Sequence, residues 1–276
     1  LPVSASTPGA LTAYQAKRRK VRNLLEGAGL LQTITYSLTS DSRAKQFALE
    51  DGNAVRLAMP MSEERSTLRL SLLPHLLEVV QHNIARQLHT NTIYEISSVF
   101  IGKDGSDLPE EKERLAGVLT GLWHAHQWQG EKKAVDFYVV KGILDAMFET
   151  LGLASSIEYR RGEKDGLHPG RTAEVFLNGV SIGFVGQLHP ETQNNLDLPE
   201  TYVFEIDLST VLSENIEEIK YEAIPRFPSI SRDIALVVDR STPAGELQKV
   251  IVETGGKLLK DVKVFDLYEG DKIDAN

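Results

Sequence analysis

Cysteine is missing from all 276 positions, which rules out disulfides, thiolate metal sites and a thiol nucleophile and fits a reducing, cytoplasmic setting. Long apolar runs are missing too. Nothing approaches the roughly 18 residues that a membrane-spanning helix needs, and no tripartite secretory signal opens the chain. Leu1 stands where Met would begin an untrimmed protein. Positive charge is in short supply: 30 Lys and Arg face 39 Asp and Glu, for a net charge of -9. A surface that wraps nucleic acid everywhere is thereby excluded, whereas a local basic patch is not. The remainder, 41% hydrophobic and 25% charged, is the composition of a soluble globular protein with one large domain or two smaller ones.

Chemical motifs are equally scarce. The phosphate loop G-x-x-x-x-G-K-[ST], the nucleophile elbow G-x-S-x-G and the metal helix H-E-x-x-H do not occur. Gly179, Gly183 and Gly186 fall within an expected hairpin, away from the strand-to-helix junction that cradles phosphate. His124 and His126 share a strand face and could begin a metal site. A third and fourth ligand would have to come from His168 or His189, and nothing in the spacing demands it. The plainer expectation is that these histidines end strands or cap turns. The acidic pairs Glu63-Glu64, Glu110-Glu111 and Glu217-Glu218 lie in polar stretches and read as solvated charge, not as an acid and base pair.

What is present is regular periodicity. Thr7-Pro8 reads as a helix start and Gly29 as its end. Between them Leu11, Tyr14, Val21, Leu24, Leu25 and Ala28 share one face, and Lys17, Arg18, Arg19, Lys20 and Arg22 cover much of the rest. That basic cluster faces a partner surface or RNA, or is simply the wet side of the helix. Ile34, Tyr36 and Leu38 alternate with polar residues as in a half-buried strand. A short strand is expected at 55–58, a helix over 72–84, a strand over 92–100, a polar loop over 102–113 and an apolar returning strand over 114–123. Helical spacing recurs over 135–151, with Gly152 placed to stop it. Asn178-Gly179 between 173–177 and 180–185 predicts a type I′ hairpin. A strand at 202–208 precedes an acidic stretch with Glu214, Glu217 and Glu218. Beyond it, strand 233–239, a helix opening at Thr242-Pro243 and strand 262–268 make half of a split βαβ fold. Two strands and one helix cannot close a good core, so this tail is expected to be truncated, disordered or completed from elsewhere.

Several segments, in this order, resemble one family. They are Val21-Arg22-Asn23-Leu24-Leu25 through Ile34-Thr35-Tyr36-Ser37, Arg69-Leu70-Ser71-Leu72-Leu73, Val135-Asp136-Phe137-Tyr138, Leu167-His168-Pro169-Gly170, and Ile182-Gly183-Phe184-Val185-Gly186 with Leu188-His189-Pro190-Glu191. Together they are similar to the catalytic-like domain of the bacterial phenylalanyl-tRNA synthetase β subunit. Arg226-Phe227-Pro228, Arg232-Asp233-Ile234 and Val264-Phe265-Asp266 resemble the start of its ferredoxin-like anticodon-binding domain.

The resemblance implies an α+β fold: a class II aminoacyl-tRNA synthetase-like antiparallel sheet with flanking helices, followed by an incomplete ferredoxin-like domain. It sets out a tail at 1–9, a core at 10–213, a linker at 214–225 and the anticodon-binding half at 226–276. A working class II site holds phosphates with arginines of its second and third motifs. Here Ile101 and Gly102 follow Phe100, and Ser209-Thr210-Val211 follow the strand at 202–208, so the resemblance implies no catalytic, cofactor or metal residues in this fragment. ATP and magnesium are implied for the full complex, on an α subunit joined in an (αβ)2 heterotetramer that binds tRNA-Phe, in the cytoplasm and off the membrane. Editing and a structural magnesium belong to regions upstream. The helix through Ala28 resembles a subunit-interface motif, and self-association of the isolated fragment is expected through surface meant for the α subunit. Arg226 and Arg232 are the candidate tRNA contacts. Two rival readings stay open: a free-standing RNA-binding module, and a ligase active in its own right, which would require Arg65 or Arg69 to converge with Arg171 on one pocket.

Overall fold

The computed structural model describes residues 9–105, 108–126, 128–215, 221, 224 and 226–268. The chain divides into two units, Leu1–Ile219 and Lys220–Asn276.

In the first unit, the elements run α1 (Ala13–Gly27), β1 (Leu31–Gln32), β2 (Leu38–Thr39), β3 (Thr67–Leu68), α2 (Leu73–Ile84), β4 (Asn91–Ile101), β5 (Glu110–Thr120), β6 (Leu122–Ala125) and β7 (Lys132–Ala134). They continue with α3 (Phe137–Thr150), β8 (Ile157–Arg161), β9 (Leu167–Leu177), β10 (Val180–Leu188), α4 (Pro190–Asn195), β11 (Thr201–Asp207) and α5 (Leu208–Ser213). Seven strands form one sheet in the order β1-β4-β5-β11-β10-β9-β8. Only the β1–β4 pair is parallel; the other five are antiparallel. The α+β, antiparallel-rich expectation is met.

Alternation along the strands divides the core into two faces. Tyr202, Phe204 and Ile206 of β11 join Val21 and Leu25 of α1 and Val140, Leu144 and Phe148 of α3 on one face. Val203, between them, joins Leu73, Leu76 and Val80 of α2 on the other. The Asn178-Gly179 turn has φ of 50° and 80°, the paired positive angles of a type I′ hairpin, and Val180 pairs with Leu177 across it.

Several expectations are corrected. The start at Thr7-Pro8 lies outside the described residues. Helix α1 begins at Ala13, where a capping box fixes it: Thr12 Oγ1 accepts from Gln15 N at 3.2 Å and Gln15 Oε1 accepts from Thr12 N at 3.0 Å. The 55–58 stretch makes only a bridge between Arg56 and Thr67. Strand β5 begins at Glu110, because the ladder with β4 runs on from Ile101↔Glu110.

The largest correction lies at 32–38. In place of one half-buried strand there are two short ones, and the alternation is inverted. Ile34 and Tyr36 are 86% and 70% exposed, while Thr33 and Thr35 are half-buried: the Thr33 backbone N–H donates to Tyr94 O and the Thr35 hydroxyl donates to the Glu95 carboxylate. A buried charge demands hydrogen-bond partners more strongly than two apolar side chains demand burial.

In the second unit α6 (Ala244–Gly255) forms, but no strand is assigned among the described residues. The expected strands 233–239 and 262–268 are exposed coil, with Ile234, Val237, Val264 and Phe265 all in solvent. Glu217, Glu218 and residues 269–276 lie outside the described residues.

Candidate functional site

The face of the sheet under α2 gathers the buried charges. Glu95, Ala116, Glu205, Phe184 and Glu174 lie opposite one another across β4, β5, β11, β10 and β9. Two residues along, Ser97, Arg114 and Asp207 form a second row. Residues directly opposite in antiparallel strands share a face, so these charges lie in two rows on the face that packs against α2, with Ala116 and Phe184 between them.

Arg69, Glu95, Arg114, Asp207 and Glu205 there have partners within the chain. Arg69 is buried and spends its whole fork: Nη2 sits 3.1 Å from Glu95 Oε1, Nη1 donates to Thr35 Oγ1 at 2.7 Å and Tyr36 O at 3.2 Å, and Nε donates to Ser98 O at 3.2 Å. Arg114, also buried, reaches Glu50 at 2.6 Å and Asp207 at 2.9 Å. Burial works to raise Glu50, but hydrogen bonds from Lys112 and Arg114 outweigh it and hold this carboxyl below its usual range. Glu205 Oε2 accepts from Ser71 Oγ at 2.5 Å and from Leu72 N at 3.3 Å. Full burial nevertheless pushes Glu205 up to about 7. Nearby, burial and then Arg69, Arg65 and Arg43 push His75 down to about 4. Glu205 thus ties the start of α2 to the middle of the sheet, and the pairs act as struts.

The arginines that could meet a phosphate have partners within the chain. Arg65 donates to Leu38 O at 3.0 Å and stacks 4.5 Å over the Tyr36 ring. Arg171 donates to Gln187 at 2.7 Å. Neither lines the two clefts described next, nor does Arg69, and the three arginines share no partner: Arg65 binds Leu38 O, Arg69 binds Glu95 and Arg171 binds Gln187. The larger cleft, about 860 Å³, is lined by Glu50, Asp51, Asp104, Glu163 and Asp165 against two lysines, Lys45 and Lys164, a field that repels phosphate. The smaller, about 140 Å³, contains Arg114 already tied to Glu50 and Asp207. No group of three or more His, Asp or Glu side chains able to hold a metal occurs among the described residues. His126, His168 and His189 instead accept from the backbone N–H groups of Gln129, Gly170 and Glu191.

The basic cluster is split. Lys17 donates to the carbonyls of Leu212 and Glu214 after α5, Arg18 pairs with Glu113 at 2.7 Å, and Arg22 lies 3.6 Å from Glu26. Arg19 and Lys20 remain exposed. Arg226 and Arg232 are exposed in the second unit. Large apolar side chains are exposed on the segment after α1 and on the loop before β3: Leu31, Ile34, Tyr36, Met59 and Met61. Sequence reasoning missed Arg114, Glu95 and Glu205 as a network. The signal was there in the form of ionisable residues inside otherwise apolar strands, as in Tyr202-Val203-Phe204-Glu205-Ile206.

Comparison with known proteins identifies the family. The family model for the phenylalanyl tRNA synthetase beta chain CLM domain matches residues 1–208, and the model for the ferredoxin-fold anticodon binding domain matches 225–276. The chain is 60% identical over 273 residues to the phenylalanine–tRNA ligase beta subunit of Geobacillus kaustophilus and 54% identical over 274 residues to that of Bacillus subtilis. Each alignment covers 99% of this chain and 34% of the relative, so the chain spans about a third of their length. Among solved structures, pyrrolysyl-tRNA synthetase from Desulfitobacterium hafniense superposes with a TM-score of 0.54 at 13% identity, covering 72% of this chain and 68% of that one. At that identity the likeness speaks for the class II synthetase fold alone. No helix of the described residues is long and apolar enough to cross a membrane.

Proposed function

Because this chain belongs to the phenylalanyl-tRNA synthetase β-chain family, we propose that it is a non-catalytic, structural and tRNA-positioning part of phenylalanine–tRNA ligase. In this reading, the ATP-dependent joining of phenylalanine to its tRNA takes place on a separate α chain in a cytoplasmic (αβ)2 assembly, with ATP and magnesium held there. The observation that carries the non-catalytic role is the internal commitment of Arg69 and Arg114, the two buried guanidiniums at the sheet face. Adenylate formation develops charge that cationic donors aimed at it must stabilise. Guanidiniums whose charge is already balanced by Glu95, Glu50 and Asp207 are held for the chain's own carboxylates. What remains is a rigid sheet that presents surfaces.

One such surface suits the α chain. Leu31, Ile34, Tyr36, Met59 and Met61 leave the first unit with more exposed apolar side chain than a lone domain favours, and Arg19 and Lys20 of α1 supply charge. Arg226 and Arg232 are the tRNA contacts proposed for the second unit.

Co-purification with the catalytic α chain, followed by light-scattering mass, tests the assignment. A stable complex is expected, and Ile34→Glu with Tyr36→Glu should split it. Separate elution at micromolar concentration would remove the docking surface from these residues. Phenylalanine-dependent ATP–pyrophosphate exchange by this chain alone would overturn the non-catalytic role.

A further inference from the structure

Between β5 and α3 the chain leaves the main sheet to build a small hairpin, β6 and β7, that the structural role does not use. Its base is firmly set. Gly121 turns the chain with φ +84°, where a Cβ would lie 2.5 Å from His89 O. Leu122 N donates to Thr90 Oγ1, and Val135 N to Gly121 O at 3.0 Å. Trp123 packs against the larger core cluster. Among the described residues of the tip, His126 N donates to Glu131 O at 3.0 Å and Gly130 N to His126 O at 2.9 Å. Beyond this base Trp128 is 94% exposed. An indole held out in water by a well-bonded turn loses hydrophobic stabilisation with no return inside the chain.

Its surroundings indicate what covers it. The rings of His124 and His126 stack with centroids 6.2 Å apart and an interplanar angle of 25°. On the opposing strand Lys133 pairs with His124 and Lys132 with Ala125. Both lysines are exposed, and among the described residues neither has an ion-pair partner. In a chain of net charge -9, exposed aromatic rings next to free cations are the combination that binds unpaired nucleotides. The rings take the bases by stacking and the ammonium groups take the phosphates. A protein hot spot would also use the tryptophan, but it would need carboxylates set against both lysines, whereas a nucleotide strand brings a phosphate with every base.

We propose that the β6–β7 hairpin is a stacking contact for unpaired nucleotides of the tRNA, with Trp128 as the base platform and Lys132 and Lys133 on the flanking phosphates. This rests on the tRNA-positioning reading above and adds a contact in the first unit, separate from the anticodon-binding region.

The test uses the full-length β chain assembled with its α chain and measures the Kd for tRNA-Phe across a salt titration. Trp128→Ala is expected to weaken binding about tenfold, and Trp128→Phe to keep most of it. Lys132→Ala with Lys133→Ala should flatten the dependence of log K on log salt by about 2. Equal affinity of Trp128→Ala and the parent would overturn the proposal and leave the tRNA-positioning role standing. If Trp128→Ala instead breaks the assembly in light scattering, the hairpin is a protein contact and the proposal is wrong. A parent complex that does not retain tRNA-Phe would overturn the positioning role and this contact together.

Discussion

The runs Asn91–Ile101 and 233–239 have similar side chains, both rich in Ile and Val, yet only the first is a strand. The difference lies in what flanks them. Strand β4 pairs with β5 over eleven residues and with β1 on its other edge, and its two faces meet α1 on one side and α2 on the other. The run at 233–239 has one helix, α6, and no paired strand among the described residues, and its Ile234, Val237 and Val238 stay exposed. β-propensity reflects the fit of a side chain to a pleated, half-covered surface, so it stabilises nothing when the surface is absent. Helix formation is local and survives where pairing does not, which is why α6 is the element that remains.

The sharpest way to break this comparison is to truncate the same residue type in both units. Phe204→Ala should cost about 3–5 kcal/mol, since the ring is fully buried and its edge would lie 2.3 Å from a Cβ at Gly117. Phe265→Ala should cost under about 0.5 kcal/mol, as for an exposed site. Urea unfolding of the two variants measures both, and comparable losses would mean that the second unit has a core of its own. Arg69→Ala belongs with the large effects, at about 3–5 kcal/mol, because it strands the Glu95 charge in the interior. Arg69→Met combined with Glu95→Leu should recover most of that loss. Arg232→Ala, in the exposed unit, should leave stability unchanged.

Proton linkage distinguishes the units further. Glu205 binds its proton more tightly in the folded chain than in the unfolded one, having been pushed up to about 7. Its contribution is therefore complete below the ordinary carboxylate range and is lost as pH rises through about 7, a swing on the order of 3 kcal/mol. His75, pushed down to about 4, has the opposite sign: its contribution is lost as pH falls from about 6.5 through 4. Glu205→Gln isolates the first effect. The stability of the parent relative to that variant should decline between about pH 4.5 and 8, and a flat difference would show that Glu205 is ionised throughout. No comparably buried carboxyl occurs in the described residues of the second unit.

Legibility from sequence follows the same division. Local signals read correctly: the Asn178-Gly179 turn, the spacing of Val140, Ile143, Leu144, Met147 and Phe148, and helix α6. The segment 32–38 did not, because the cue that orients it is a buried ion pair, Arg69 with Glu95, supplied from outside the segment. Arg69 could be singled out from its position in the family pattern, yet only tertiary structure shows its fork already filled. The basic run of α1 looked uniform in sequence. Its split into Lys17 and Arg18, bound near the end of α5 and to Glu113, and the exposed Arg19 and Lys20 depends on which side of the helix meets the rest of the unit.

The smallest expected effects concern the two helix starts, and they test whether local bonding is what holds α6. Helix α1 has a reciprocal cap, Thr12 with Gln15, and Thr12→Ala should cost about 1 kcal/mol. Helix α6 begins after Pro243 with no side-chain cap and buries none of its residues. Its orphan N–H groups therefore rely on water, and replacing Pro243 by Asp would give them an acceptor as well as a negative charge at the positive end of the helix dipole. Pro243→Asp should raise the stability of α6 by up to about 1 kcal/mol, seen as increased helical circular dichroism and slower amide exchange over 246–250. The gain should be visible because α6 has no fully buried residue. An unchanged exchange rate would mean that α6 is held by contacts of its apolar side chains and not by its own backbone, and the contrast between the two units would then be one of degree.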